Sequence, residues 1–321
     1  MQLGVFTPAF AKLSFQELLK AVARFKEITA LEIGTGGWPG SSHIDVSQCL
    51  QSQQAARDYS LRIADAGLMI SALSCHGNPL HPDEGIASKD DETFRDTVRL
   101  AERLHVPVVV TFSGCPGGGP QDRTPNWIVT PWPPENLQAL DWQWEQRVIP
   151  YWSEAVKFAA NSGVKIALEA HPGFSVYNTE TLLRLRAATS PSLGINLDPS
   201  HLFWQGMDIP VVIDALKDAI FHVHAKDVYL NPTRIATNGV LDGKSYTLMQ
   251  ERSWLFRSVG WGHGELEWKA IASALRLAGY DYVMSIEHED ALASVEEGLR
   301  SAISMLSRVI LKEPPVEAWW T

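Results

Sequence analysis

Eight short apolar runs, separated by segments with helical spacing, constrain the fold of this chain more than any other feature. Most of the runs are apolar on both faces, as the strands of a buried parallel sheet are. They are LGVFT (3–7), ALEIG (30–34), LMISALSCH (68–76), PVVVTFS (107–113), KIALEAH (165–171), LGINLDPSH (193–201), IFHVHAKD (220–227) and YVMSIEHED (282–290). Eight strand-then-helix units predict an α/β fold of the (β/α)8 TIM-barrel type. A doubly wound open sheet is the alternative, but no G-x-G-x-x-G motif follows the first run.

The length of the chain and its longest connections indicate how such a barrel is organised. With 321 residues, we expect a single TIM-barrel domain over 1–321 with a C-terminal tail at about 312–321. Two connections are too long for simple turns, namely 114–145 after the fourth strand and 228–265 after the seventh. Because both follow strands, they should lie at the C-terminal face, where barrel active sites are found. Long loops at this face are typical of lids or subunit interfaces.

Composition excludes several classes of protein. The chain has 27 basic and 37 acidic residues, and its formal net charge of -10 disfavours nucleic acid as a partner. The three scattered cysteines form no C-x-x-C motif, which argues against a disulfide framework and favours a reducing cytoplasm. We expect no signal peptide and no membrane partner, because no run of eighteen apolar residues occurs.

Four ionisable residues lie at the ends of the last four predicted strands: Glu169, Asp198, His224 and Glu287. In each strand the polar residues occupy alternate positions, which should face the barrel axis. The apolar residues occupy the positions between them and should face the helices. Three carboxylates and an imidazole at one barrel mouth would be costly to bury without a counter-charge. One divalent cation would supply that charge, and oxygen ligands with one nitrogen suit Mn²⁺, Mg²⁺, Co²⁺ or Zn²⁺.

The segments LEAHPG, LDPSH, FHVHAKD and SIEHED resemble the xylose-isomerase-like TIM-barrel superfamily, which includes sugar-phosphate isomerases and epimerases and AP endonucleases of family 2 type. The resemblance implies that Glu169, Asp198, His224 and Glu287 bind one metal ion, usually Mn²⁺, and that His201 binds substrate. The match to ketose 3-epimerases is incomplete, since the positions of a substrate-binding Glu and Arg in those enzymes are Ser175 and Leu230 here.

The resemblance also implies a function. We expect a metal-dependent sugar isomerase or epimerase in which Glu169 and Glu287 exchange a proton next to a carbonyl through a metal-stabilised enediolate. His171 is a further candidate acid or base, with a hydrogen bond to a ligand as the alternative. The candidate substrate-binding residues are His201, His76, Asn78, Lys226, Trp38 and His263.

Structural roles are open for several of these candidates. The alternative to substrate binding is that Asn78 and His76 hold a loop in its conformation. For Lys226 the alternative is an internal ion pair. Glu32, at the end of the second strand, would bind substrate or pair with a lysine. Twelve tryptophans are present, and Trp38, Trp127, Trp132, Trp204 and Trp261 are candidates for stacking on a sugar.

Three other functions remain open at this stage. The first is a lyase (deglycosidase) acting on 3-oxo-glycosides such as C-glycosides, with or without a small partner subunit. The second is an AP endonuclease with further zinc ligands, against which the acidic charge counts. The third is a non-catalytic carbohydrate-binding protein. We expect a small-molecule sugar or glycoside as ligand and a homo-oligomer as the assembly.

Overall fold

The computed structural model describes residues 1–318 and 320. Within them, eight parallel strands close a barrel in the order β1-β10-β7-β6-β5-β4-β3-β2, and two more form a separate antiparallel pair. The strands are β1 Gln2–Phe6, β2 Ile28–Gly34, β3 Met69–Ser74, β4 Val108–Phe112, β5 Lys165–Glu169, β6 Leu193–Leu197, β7 Ile220–Ala225, β8 Asp227–Leu230, β9 Trp254–Arg257 and β10 Val283–Ile286. The fold is therefore the TIM barrel that the alternation of runs predicts.

Helices lie between the barrel strands, and most of them bury an apolar face against the barrel. They are α1 Phe15–Val22, α2 Val46–Gln51, α3 Gln53–Asp65, α4 Glu84–Leu104, α5 Glu135–Gln143, α6 Ile149–Asn161, α7 Thr179–Ala188, α8 Pro199–Phe203, α9 Ile209–Leu216, α10 Pro232–Asn238, α11 Glu265–Leu277 and α12 Val295–Val309. The tail predicted at about 312–321 follows α12, and its residues 319 and 321 lie outside the described residues. Nowhere in the described chain is a helix both long and apolar enough to cross a membrane.

Most of the strands end earlier than the sequence predicts, and two of these differences affect the site. The sixth strand stops at Leu197, so His201 lies on helix α8. Pro199 suits the first turn of a helix, and Asp198 caps that turn by accepting a hydrogen bond from the Ser200 amide at 2.8 Å. The seventh strand stops at Ala225, and the next strand, β8, leaves the barrel.

The two long connections after the fourth and seventh barrel strands are confirmed, and the second contains structure that the sequence did not predict. Strand β8 pairs with β9 in an antiparallel hairpin, with helix α10 in the connection between them. Asp227 at the start of the hairpin accepts hydrogen bonds from the amides of Gly260, Gly262 and His263 at 2.9 to 3.1 Å. A Cβ at Gly262 would lie 2.1 Å from the Val228 carbonyl oxygen, so this close approach requires glycine.

The barrel interior has an apolar layer and a polar layer. Ala72, Val108, Val110 and Ala167 form a small apolar cluster inside the barrel, apart from the larger core between strands and helices. Fully buried polar side chains form the polar layer: Glu32, Ser71, Ser74, Asn196, His222 and His224. Buried polar groups of this kind need partners, so the polar layer has to be satisfied by its own contacts.

Candidate functional site

The four predicted metal ligands meet at the C-terminal mouth of the barrel. Parallel strands bring their carboxyl ends to one side, and β5, β6, β7 and β10 are neighbours in the sheet. Each residue offers one ligand atom, and these atoms all lie within 4.8 Å of one another. The residues are Glu169, Asp198, His224 and Glu287. The structure thus brings together all four side chains that the sequence singled out.

Three atoms of this group make no hydrogen bond to any described residue, although they are buried: Asp198 Oδ2, His224 Nδ1 and Glu287 Oε2. Lys226 Nζ lies 3.0 Å from Asp198 Oδ2 and 2.8 Å from Glu287 Oε2. These are ion-pair distances, but the atoms lack the alignment of a hydrogen bond. Buried polar atoms without hydrogen bonds are costly. Oxygen and nitrogen atoms that converge on one point and receive no hydrogen bond fit the ligand set of a divalent cation.

Histidine and amide side chains hold the carboxylate of Glu169. His201 Nε2 lies 3.0 Å from Oε1, while His76 Nε2 and Asn196 Nδ2 each lie 3.1 Å from Oε2. Burial by itself raises the pKa of Glu169, but the contacts with His201, His224 and His76 outweigh it and hold the pKa well below its usual range. Glu169 is therefore ionised, and its side chain is fixed from several directions.

Glu32 orients His224 from the opposite side of the imidazole. His224 Nε2 lies 2.9 Å from both carboxylate oxygens of Glu32, and Ser74 Oγ donates to the same carboxylate at 2.5 Å. Burial acts to raise the pKa of Glu32, but His224 and His222 lower it to about 2. The expectation that Glu32 binds substrate or pairs with a lysine is wrong, because the carboxylate is fully buried and holds a histidine.

Lys226 forms internal ion pairs. Its ammonium is buried and lies 2.9 Å from Glu289 Oε2, besides its contacts with Asp198 and Glu287. Burial would lower the pKa of Lys226, but the surrounding carboxylates raise it well above the ordinary value. Of the two roles expected for this residue, its contacts favour the internal ion pair.

His171 and His201 pack against each other beside Glu169. Their ring centroids are 4.1 Å apart, and His171 Nδ1 lies 2.6 Å from the Pro172 carbonyl oxygen. Burial, followed by the neighbouring His201, lowers the pKa of His171 to about 3. His171 is therefore neutral near pH 7, with Nδ1–H donating to Pro172 and Nε2 left as an acceptor.

A cavity of about 290 Å³ opens onto the carboxylates, and we call it the metal-side cavity. Glu169 and Glu287 line it together with several aromatic side chains: Phe6, Trp38, His76 and Phe112. Trp38 is 65% exposed, and its ring contacts Phe112 at 5.5 Å and Phe174 at 5.7 Å between centroids. The site thus combines paired carboxylates with an aromatic wall, which suits a sugar.

Other candidates have structural contacts. The Asn78 amide donates to the Cys115 carbonyl at 3.0 Å and accepts from the Cys115 amide at 2.9 Å, so these contacts favour the loop-structuring role. His263 stacks on Phe203 and lies 2.8 Å from Asp227 Oδ1. Trp204 is buried against Trp254, so it offers no open face to a sugar.

Three contributors to the site were missed from the sequence: Ser74, Asn196 and Phe112. A signal existed for Asn196, because it lies two residues before Asp198 and so shares the inward parity of its strand. Asn196 links Glu169 to His222, whose Nδ1 lies 3.0 Å from Asn196 Oδ1. The same alternation would have identified Ser74 at the end of β3.

Sequence comparison places the chain among known proteins. Residues 19–309 match the family model described as xylose isomerase-like TIM barrel. The uncharacterized protein YfiH of Bacillus subtilis (strain 168) is 40% identical over 313 residues, covering 97% of this chain and 99% of YfiH. An inosose dehydratase of Geobacillus thermodenitrificans (strain NG80-2) is 30% identical over 139 residues, covering 42% of this chain and 45% of that enzyme.

Solved structures share the fold at low sequence identity. The IOLI protein, solved with a bound zinc atom, has a TM-score of 0.64 at 20% identity, covering 97% of this chain and 99% of that chain. The 3-keto-D-glucoside 4-epimerase YcjR from E. coli has a TM-score of 0.63 at 13% identity, covering 96% of this chain and 98% of that chain. At these identities the likeness concerns the fold alone.

Proposed function

Because the chain belongs to the xylose isomerase-like TIM-barrel family, we propose that it is a sugar-modifying enzyme, specifically a divalent-metal-dependent isomerase or epimerase. The observation that carries this proposal is the convergence of Glu169, Asp198, His224 and Glu287 within 4.8 Å. Three of their atoms are buried without hydrogen bonds and two of the carboxylates line the metal-side cavity. Buried carboxylate and imidazole atoms that make no hydrogen bond beside an open cavity are better explained by a bound cation than by packing.

The same four residues would hold the metal ion. A divalent cation bound there supplies Lewis acidity, which acidifies the hydrogen on a carbon next to a carbonyl. We expect Mn²⁺, with Mg²⁺, Co²⁺ and Zn²⁺ as the alternatives that the ligand types also suit. The IOLI protein, which shares the fold, was solved with a bound zinc atom, which is compatible with a metal ion here but does not identify it.

The side chains around the cavity would then move the proton. Glu287 and Glu169 act as the acid and base, since both line the metal-side cavity. His201 orients a substrate oxygen from helix α8, and His171 accepts a hydrogen bond through Nε2. His76 keeps Glu169 in position, while Trp38 covers one face of the sugar. Return of the proton to the opposite face gives an epimer, and return to the neighbouring carbon gives an isomer.

Exchange of solvent deuterium into the substrate tests the proton transfer directly. The metal-loaded protein is incubated in deuterated buffer with a panel of ketoses and inososes, and the substrate carbons are followed by NMR. Glu169→Gln and Glu287→Gln should each abolish the exchange while the circular dichroism spectrum is unchanged. Glu297→Gln, on the exposed face of α12, is the matched control and should keep full exchange. Unchanged exchange in both site variants would remove the proposed roles.

A lyase is the second candidate, and the similarity to an inosose dehydratase favours it. The first half of such a reaction is the same removal of a proton next to a carbonyl, followed by loss of a substituent from the next carbon. A deglycosidase acting on 3-oxo-glycosides such as C-glycosides, with a small partner subunit, would follow this route. Release of water or of the aglycone would identify the lyase, whereas a product with the substrate's mass would identify the isomerase or epimerase.

The remaining expectations concern assembly. We propose a small-molecule sugar or glycoside as ligand, a single domain over residues 1–321 and a homo-oligomer in solution. Light scattering coupled to size-exclusion chromatography measures the mass of the assembly against the 35.6 kDa chain. Limited proteolysis tests the single domain, which predicts no stable fragment that separates from the rest of the barrel.

A further inference from the structure

A second cavity, of about 360 Å³, lies beside the metal-side cavity, and we call it the hairpin cavity. Leu255 and Phe256 of strand β9 contribute to its wall, together with Tyr246 and Met249 from the connection that leads into this strand. The cavity therefore depends on the insertion after the seventh barrel strand. Its volume falls within the range of about 300–1,000 Å³ that is usual for small-molecule sites.

The hairpin cavity adjoins the metal-side cavity. Glu289 lines both of them. The Phe256 ring lies 5.3 Å from the His201 ring and 4.6 Å from Lys226 Nζ. His171, another lining residue, packs on His201 at 4.1 Å. The side chain of Glu289 thus lies where the two cavities meet, next to the carboxylates of the metal-side cavity.

The chemistry of the hairpin cavity differs from that of the metal-side cavity. Its lining is mainly apolar, and the polar groups are confined to His171, Glu289 and the hydroxyl of Tyr246. Tyr246 stacks on Phe256 with 5.7 Å between centroids and a 22° interplanar angle. Tyr246 and Leu292 nevertheless remain 53% and 56% exposed, so apolar surface faces water here. A sugar ring with a hydroxyl on each carbon would find few hydrogen-bond partners in this lining.

We propose that the hairpin cavity is a subsite for an apolar, preferably aromatic, substituent of the sugar substrate. The sugar itself lies in the metal-side cavity, and the substituent stacks against Tyr246 and Phe256. This inference rests on the proposed function, because it places the reacting carbons at the carboxylates. It names the substrate class as a substituted sugar rather than a free monosaccharide, and it makes the insertion after the seventh barrel strand a determinant of specificity.

Equilibrium binding to the Mn²⁺-loaded protein tests the subsite without requiring turnover. Isothermal titration calorimetry compares methyl and 4-nitrophenyl glycosides of the common hexoses, and 4-nitrophenol alone serves as a probe of the cavity. For the hexose that binds, the 4-nitrophenyl glycoside should bind at least about tenfold more tightly than the methyl glycoside, because the ring removes apolar surface from water. Equal affinities would overturn the subsite and leave the sugar function standing.

Two substitutions at exposed lining positions probe the cavity with little risk to folding. Ala291→Phe fills the space and Leu292→Gln removes apolar lining, and both side chains are exposed. Each should reduce the tenfold preference to less than about threefold while leaving the affinity for the methyl glycoside unchanged. Leu266→Gln is the matched control, because Leu266 is an exposed leucine on helix α11 that does not line the cavity.

The remaining outcomes separate this proposal from the proposed function. If 4-nitrophenol binds to the wild type and not to Ala291→Phe while no glycoside binds, the apolar chemistry of the cavity is supported and the sugar function fails. If the substitutions leave every ligand affinity unchanged and instead alter the mass of the assembly in solution, the cavity is covered by a second copy of the chain. That result would overturn the subsite.

Discussion

His224 and Glu32 face each other across the barrel interior, with Nε2 of the imidazole 2.9 Å from both oxygens of the carboxylate. This contact uses one ring nitrogen and leaves Nδ1 pointing at Glu169 and Glu287, at 3.2 and 2.9 Å. A carboxylate behind a metal-binding histidine fixes the tautomer and orientation of the ring. The contact therefore fixes the ring of His224 in the orientation that the proposed metal site requires, from a position 192 residues away in the chain.

Glu32→Gln should weaken metal binding without removing any of the four ligands. The amide cannot accept from His224 through both of its terminal atoms, so the ring loses its fixed orientation. Loss of such a partner typically lowers metal affinity by about 10- to 100-fold. Competition with a chelating dye for Mn²⁺ measures this affinity, and Glu27→Gln, at an exposed position before β2, is the control. Equal affinities in the two variants would contradict the role.

Lys226→Met should destabilise the metal-free protein far more than the metal-loaded protein. Without metal, the ammonium is the cation that faces Asp198, Glu287 and Glu289. Removing one partner of a buried ion pair lowers the free energy of unfolding by about 3–5 kcal/mol. In the metal-loaded protein, the divalent cation would neutralise the same carboxylates, so the loss should be smaller. Urea unfolding in EDTA and in saturating Mn²⁺ compares the two states. If the substitution lowered the free energy of unfolding equally in EDTA and in Mn²⁺, Lys226 and the metal ion would not neutralise the same carboxylates.

Trp38→Ala should weaken sugar binding and leave metal binding intact. The indole lines the metal-side cavity and does not belong to the cluster of candidate ligands. Loss of one aromatic face is worth about 0.5–1.5 kcal/mol beyond the area buried, so affinity should fall by several-fold. Calorimetric titration with the sugar measures this change. Trp132→Ala is the control and should bind the sugar as the wild type does, because this exposed tryptophan, although a candidate from the sequence, lines neither the metal-side cavity nor the hairpin cavity.

Asp290→Asn should destabilise the protein in a pH-dependent manner. Asp290 accepts hydrogen bonds from the Ser258 amide and hydroxyl, the Leu292 amide and Arg257 Nε at 2.9 to 3.1 Å. Burial acts to raise the pKa of Asp290, but these contacts outweigh it and lower the pKa. The carboxylate therefore stabilises the fold above its unfolded pKa of about 4, and this contribution disappears as the pH falls through the native pKa.

The expected size of this effect is about 1–3 kcal/mol at pH 7, as for hydrogen bonds to a charged group. Urea unfolding at pH values from 7 down to 3 should show the difference between wild type and Asp290→Asn narrowing below about pH 4. Asp65→Asn, at an exposed position on α3, is the control. A difference that stays constant over this pH range would show that the ionised carboxylate is not the stabilising form.

The fold and the four candidate ligands followed from local patterns. Alternation along a strand decides which side chains share a face, and the parallel order of the strands brings their carboxyl ends to one mouth. These rules act over a few residues, so they identified Glu169, Asp198, His224 and Glu287 from the sequence. They also located the two long connections, because both interrupt a regular succession of strands and helices.

Tertiary structure alone decided which polar residues contact one another. Strand register and barrel closure place Glu32 against His224 and direct Lys226 toward three carboxylates, and no sequence spacing encodes either contact. The Asn78 amide likewise found its partners in the backbone of Cys115, on a different loop. The hairpin cavity arises because β8 and β9 pair outside the barrel. Local spacing determines toward which side of a strand or helix each side chain points. The residue that it contacts depends on how distant segments of the chain pack together.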